Sequence, residues 1–160
     1  MPILHVQIQA QAQTPDGKTV TIHPAMALQQ RGPVLQVVVS VEQNMAQALQ
    51  QQGQTVPAPK SGFALIDTGA SFTCIDEQAA KDLALPIIDV VTMSSASHAQ
   101  HQCNVYPVQI AVPPMLNLQV PRAVGAALAA QGLLALIGRD VLQNCLLVYN
   151  GGTGSISLSL

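Results

Sequence analysis

Phe63-Ala64-Leu65-Ile66-Asp67-Thr68-Gly69-Ala70-Ser71 is the stretch whose reading decides the fold. Phe63, Leu65 and Ile66 suit a buried strand. Gly69, two residues after Asp67, lets the chain turn sharply or lets another backbone approach closely. A carboxylate is thus held at the end of a rigid strand, where the chain bends away, and such a place keeps an acid in a fixed pose. Asp-Thr-Gly alone is also a common turn tripeptide, because Asp and Gly both favour turns. Its weight comes from a second stretch, Leu133-Leu134-Ala135-Leu136-Ile137-Gly138-Arg139-Asp140-Val141-Leu142. This is another apolar strand, then Gly-Arg-Asp, then apolar residues at helical spacing.

The 160 residues around these motifs are enough for one domain with a real core. Charged residues are only 9% and the net charge is −2, so no basic patch argues for nucleic acid. Trp is absent and aromatics are 2%, which removes base-stacking platforms. A weakly charged, apolar chain is prone to self-association. Met1-Pro2-Ile3-Leu4-His5 carries no basic n-region, so no signal peptide is expected, and no apolar run reaches the length of a membrane span. Cys74, Cys103 and Cys145 are odd in number and lack a framework spacing, which suits reduced thiols in a cytoplasm.

Outward from the two motifs, alternation dominates. Leu4 to Gln13 alternates apolar and polar and predicts one half-buried strand, with Asp16-Gly17 turning it into a return strand at Val20 and Ile22. Residues 1–33 are therefore expected to form an N-terminal β-hairpin extension, with one helical turn at Met26–Arg31 broken by Gly32-Pro33. Leu35, Val37, Val39 and Val41 predict a strand. Glu42 to Gln52 predicts a short helix closed by Gly53. Asp76 is placed to cap a helix running to about Leu85, stopped by Pro86. Residues 89–110 read as a β-hairpin with the small polar tip Ser94 to His101 and a second strand from Val105, interrupted by Pro107. Leu116, Leu118 and Val120 alternate again, and the Ala-rich Pro121 to Gly132 is expected to be partly helical. A short helix at about Arg139 to Asn144 and a closing hairpin around Asn150-Gly151-Gly152-Thr153-Gly154 end the chain. Many short strands with one or two short helices predict a mostly β, closed barrel-like domain.

Taken together and in this order, the two motifs resemble those of the retropepsin-like aspartic proteases, the retroviral type and its bacterial relatives. The resemblance covers about residues 34 to 160, and implies an aspartic protease domain there. It implies Asp67 as the catalytic acid, with Thr68, Gly69, Gly138 and Arg139 supporting the site. Leu65, Gly69, Ala70, Ser71 and Leu136 would meet substrate, and the 89–110 hairpin resembles the flap, with Met93, Ser94, Ser95, Ala96, Ser97 and His98 at its tip. Ala70 matches the retroviral pattern, where pepsin-type enzymes often have Ser. A Ser there favours the ionised acid, so its absence implies a working pH above about 4. Ser71 departs from the Asp usual in retroviral enzymes, so Arg139 needs another partner, either Asp76 or Asp140.

Hydrolysing a peptide with carboxylates alone takes two of them, one ionised and one protonated. This chain has one Asp-Thr-Gly. The simplest completion is a C2 homodimer with Asp67 from each subunit, which is also the family's arrangement. No cofactor or metal is then required. His98, His101 and Cys103 could seed a metal site, without a complete fourth ligand in view. A cysteine-protease mechanism needs a thiolate paired with His, and Cys74 and Cys145 sit in apolar contexts. The expectation is thus an aspartic endopeptidase, its rival a non-catalytic dimerisation or peptide-binding module of the same fold. The first 33 residues could replace a terminal interface, cap a sheet edge or block the cleft before processing.

Overall fold

Alternation at the amino terminus hides a change of partner. The computed structural model describes residues 3–95, 98–114 and 116–159. Where one strand was expected from Leu4 to Gln13, there are two, β1 (Ile3–Gln7) and β2 (Ala10–Gln13). β2 pairs with β3 (Thr19–Ile22) as the Asp16-Gly17 turn implied, and Gly17 has φ 80°. β1 leaves that hairpin and pairs with the last strand of the chain. The break falls at Ile8, whose N–H donates to Gly154 O at 2.9 Å while its side chain is buried. Inward residues continue at every second position through the break, so the pattern carries no sign of it.

The middle of the chain follows. α1 (Pro24–Arg31) is twice the expected turn: Pro24 opens it and Gly32, with φ 74°, ends it. Then come β4 (Val34–Ser40), α2 (Gln43–Gln51), β5 (Lys60–Ile66), β6 (Cys74–Asp76) and α3 (Glu77–Asp82). α3 stops short of Leu85 because Ala84 turns to φ 50°. β7 (Asp89–Ser95) and β8 (His98–Val112) form the expected hairpin, but β8 starts at His98 rather than Val105. Pro107 does not interrupt it. It sits at a register shift against the next strand, where its missing N–H costs the ladder nothing.

That next strand, β9 (Leu116–Ala126), overturns the helix expected over 121–132, of which only a 3-10 turn at Ala129–Gln131 is present. β6 pairs in parallel with 124–126, and β8 pairs with Ala123 and Val124. Two flanking strands outweigh the helix preference of alanine. β10 (Ala135–Ile137), α4 (Arg139–Leu142), β11 (Leu146–Asn150) and β12 (Ser155–Ser159) complete the chain. Four α-helices, rather than one or two, lie among the described residues, all short, and strands dominate.

The largest sheet runs β4-β5-β10-β6-β9-β8-β7, and β4 also pairs with β8, so the hydrogen-bonded order returns on itself. A second sheet, β1-β12-β11, joins the two ends of the chain. One buried cluster holds Val37, Val39, Ile75, Tyr106, Ile110, Ile137, Ile156 and Leu158 together with Leu4, Ile8 and Leu28. Residues before 34 therefore share the core of those after it. A smaller cluster centres on Cys74, Cys103, Val124, Leu128 and Leu133, with Leu65, Met93 and Leu136 packed against it. The two clusters split β5 and β10 by parity: Ile66 and Ile137 enter the first, Leu65 and Leu136 the second.

Asp76 ties α3 to the end of β9. Only 5% exposed, it accepts the N–H groups of Ala79 (3.1 Å), Leu128 (3.0 Å) and Ala129 (2.9 Å). Asp76→Ala strands all three donors and should cost about 2–3 kcal/mol in urea unfolding. A loss under about 0.5 kcal/mol, within the range of surface changes, would contradict this role.

Candidate active site

Asp67 continues β5 by one residue: its N–H donates to Ile137 O at 2.9 Å, and that of Ile66 to Pro33 O at 3.0 Å. The backbone leading into the acid is thus held on both sides, by β10 and by the approach to β4. The chain then turns, with Ala70 N–H donating to Asp67 O at 3.2 Å. Asp67 Oδ1 accepts the N–H groups of Gly69 (2.8 Å) and Ala70 (3.2 Å). A Cβ on Gly69 would lie 3.1 Å from that oxygen, a tight contact that would press on the acid. Oδ2 has no such bond among the described residues. Asp67 is half-buried, while Thr68, Gly69 and Ser71 are exposed.

The second motif locks this turn from behind. Arg139 Nη1 donates to Thr68 O (2.9 Å) and Gly69 O (3.1 Å), and Nη2 to Ser71 Oγ (2.8 Å). Its backbone N–H donates to Ala70 O at 3.0 Å. The expected carboxylate partner is therefore corrected: neither Asp76 nor Asp140 pairs with Arg139. Asp76 is committed as described, and Asp140 turns to Thr73, accepting its N–H (3.0 Å) and its hydroxyl (2.8 Å). The guanidinium fork is filled instead by carbonyls of the turn itself and by Ser71.

Thr73 was not singled out from sequence. It is fully buried, and its Oγ1 also accepts Gly138 N–H at 3.1 Å, so one hydroxyl bridges the two motifs. The one local signal was a polar residue set between Phe72 and Cys74. Gly138 packs against this bridge: a Cβ there would come within 2.5 Å of the Phe72 carbonyl carbon.

Leu65 and Leu136 stand opposite each other in the parallel β5–β10 register, both partly buried. Met93, Ser94 and Ser95 end β7 and His98 opens β8, with a register irregularity between Met93 and Ser95. Ala96 and Ser97, named for the hairpin tip, lie outside the described residues. Asp67 lines neither of two surface cavities. One of about 610 Å³ lies between Phe72, Met93 and Val141. Another of about 510 Å³ lies beside Phe63 and Leu65. Among the described residues no three His, Cys, Asp or Glu side chains converge as metal ligands.

The thiols are quiet. Burial first, and then the neighbouring Asp140, Cys103 and Asp67, push the Cys74 thiol up to about 11, while burial, with Glu77 nearby, raises Cys103, and burial raises Cys145. At pH 8 only about one Cys74 in a thousand is a thiolate. Iodoacetamide at pH 8 should therefore label Cys74 far more slowly than a free thiol, followed by mass spectrometry. Labelling at the free-thiol rate would contradict this environment. A thiolate nucleophile at Cys74 is disfavoured by the same physics.

No family model matches the chain, and no curated protein sequence matches it. A solved structure, a retropepsin-like aspartic protease from Rickettsia conorii, is similar over 98% of this chain and 91% of that one, at 11% identity and a TM-score of 0.48.

Proposed function

We propose that this chain is a retropepsin-like aspartic endopeptidase that works as a homodimer. The observation carrying the proposal is the turn at Asp67, a carboxylate with one oxygen bound to two N–H groups and the other without such a bond among the described residues, braced by Arg139 directly and by Gly138 and Asp140 through Thr73. Such bracing fixes an acid in space without neutralising it through a cation. The other acids at hand, Asp76 and Asp140, are spent on backbone and Thr73. The second carboxyl is supplied by Asp67 of another copy.

In the dimer the two carboxyls share one proton, since neighbouring like charges cannot both ionise. The ionised member takes a proton from water, which attacks the scissile carbonyl. The protonated member polarises that carbonyl, and a proton then passes to the leaving amine. Acid and base both come from carboxylates, so the reaction needs no metal or cofactor. On this reading the six strands that return on themselves through β4 and β8 would be the barrel-like body of a protease domain at 34–160, with 1–33 an extension that packs into the same core. Peptide would lie extended along Gly69, Ala70 and Ser71, its side chains against Leu65 and Leu136. The β7–β8 hairpin, with Met93, Ser94, Ser95 and His98 at its described end, would close over it as a flap and exclude water. The outer edge of β11, which among the described residues pairs only with β12 and exposes Leu146, Val148 and Tyr149, supports self-association. A cytoplasmic site of action, away from membranes and nucleic acid, is part of the proposal.

Incubation of the purified chain with a diverse peptide mixture from pH 4 to 8, mapped by mass spectrometry, tests the proposal. Cleavage is expected, unaffected by a chelator, with a rate per chain that rises with protein concentration. A stable dimer that cuts nothing at any pH would overturn it in favour of a peptide-binding module.

A further inference from the structure

The chain has only six Lys and Arg residues, and their partners are nearly all accounted for. Lys18, Lys60, Lys81 and Arg122 pair with Asp16, Asp82, Glu77 and Asp89. Arg139 is spent on the Asp67 turn. Arg31 has no carboxylate partner among the described residues. Its side-chain hydrogen bond among the described residues is long, Nη1 to Gln9 O at 3.4 Å, and its guanidinium lies 6.0 Å from the centroid of the Phe63 ring.

Its position carries the inference. Arg31 ends α1 and lines the cavity of about 510 Å³ together with Gln30, Val34, Phe63, Leu65 and Leu133. Phe63, Leu65 and Asp67 alternate along β5 and so share a face. At ~3.3 Å per residue, Leu65 stands ~7 Å and Phe63 ~13 Å from the acid along the strand. A peptide that lies along Gly69–Ser71 and continues past Leu65 and Phe63 would advance by about the same step and bring a side chain about two to four residues from the scissile bond to this cavity. Phe63 lies 6.0 Å from the guanidinium, and Val34, Leu65 and Leu133 give the exposed Arg31 an apolar wall on the cavity side. The remaining N–H groups form a fork that fits a carboxylate in bidentate fashion.

We infer that Arg31 selects an acidic side chain of the peptide substrate, held in this cavity. The inference rests on the peptidase reading of Asp67. Gln30 and Gln131 at the same cavity can bond a neutral amide, so the discrimination belongs to charge rather than to hydrogen-bonding capacity.

The test uses the full chain and a random decapeptide library, scored for cleavage by the wild type and for capture on immobilised Asp67→Asn protein, so that binding is read whether or not cutting occurs. Asp and Glu should be enriched two to four residues from the cut. A matched pair of peptides, Glu against Gln at that position, should differ about fivefold in kcat/KM. The ratio should fall to about one in Arg31→Gln and turn toward a Lys peptide in Arg31→Glu. Cleavage with a Glu-to-Gln ratio that these variants do not move would overturn the inference and leave the peptidase reading standing. Capture of acidic peptides that depends on Arg31, without cleavage, would overturn the peptidase reading alone. Equal loss for both peptides with dissociation of the dimer in Arg31→Gln would overturn the inference by placing Arg31 between subunits.

Discussion

Asp67→Asn should lower kcat/KM for peptide cleavage by about 10⁴-fold, with the unfolding midpoint in urea nearly unchanged. The carboxamide is isosteric with the acid. Its oxygen can still accept the Gly69 and Ala70 N–H groups, now at 2.8 and 3.2 Å, so the turn keeps its shape. Its nitrogen cannot take a proton from water, and in a homodimer the change removes both acids at once. Steady-state kinetics on a mapped substrate, with circular dichroism as the fold control, reads the two effects apart. Substantial residual cleavage by a folded variant would assign the chemistry elsewhere.

Gly138→Ala should be the most damaging single methyl group at the site. Its φ of −89° is open to any residue, so the penalty is purely steric. A Cβ would come within 2.5 Å of Phe72 C, 2.6 Å of Phe72 O and 2.8 Å of Thr73 N, all backbone atoms that cannot swing aside. Relief requires the two motif segments to separate, which stretches the Thr73–Gly138 and Thr73–Asp140 bonds and draws Arg139 away from the Asp67 turn. A stability loss of about 3 kcal/mol is expected. Activity should fall at least about 10²-fold even below the unfolding temperature, because a displacement near 1 Å is enough to spoil a catalytic pose. Unfolding curves and kcat measured on the folded fraction check both. Wild-type kinetics with wild-type stability would mean that the two segments are not rigidly coupled.

Much of the fold around Asp67 was legible because each signal was local. The run into Asp67 and the run into Gly138 are apolar, and a period of two separates Leu65 and Leu136 from Ile66 and Ile137. Asp16-Gly17 marked the β2–β3 turn in the same way. What was not legible depended on distant partners. The alternation from Leu4 to Gln13 is blind to which strand lies alongside, so the transfer of β1 to β12 left no trace in it. The alanines after Pro121 favour a helix in isolation, and only pairing with β6 and β8 makes them strand. Arg139 was expected to seek a carboxylate, but its partners are mostly main-chain carbonyls, which every residue has and no sequence pattern marks. Thr73 escaped notice for the same reason: one buried hydroxyl gains meaning only when Gly138 and Asp140 are brought to it.

The central claim is that two copies of Asp67 build one site, and subunit mixing tests it most directly. Wild-type chain is co-refolded with increasing Asp67→Asn chain at fixed wild-type concentration, and cleavage is measured per wild-type chain. If each site needs an acid from both subunits, a ninefold excess of the variant should reduce activity per wild-type chain to about one tenth, as wild-type pairs become rare. Activity that stays proportional to wild-type chain, whatever the excess of variant, would contradict the account, because a single chain would then carry a complete site.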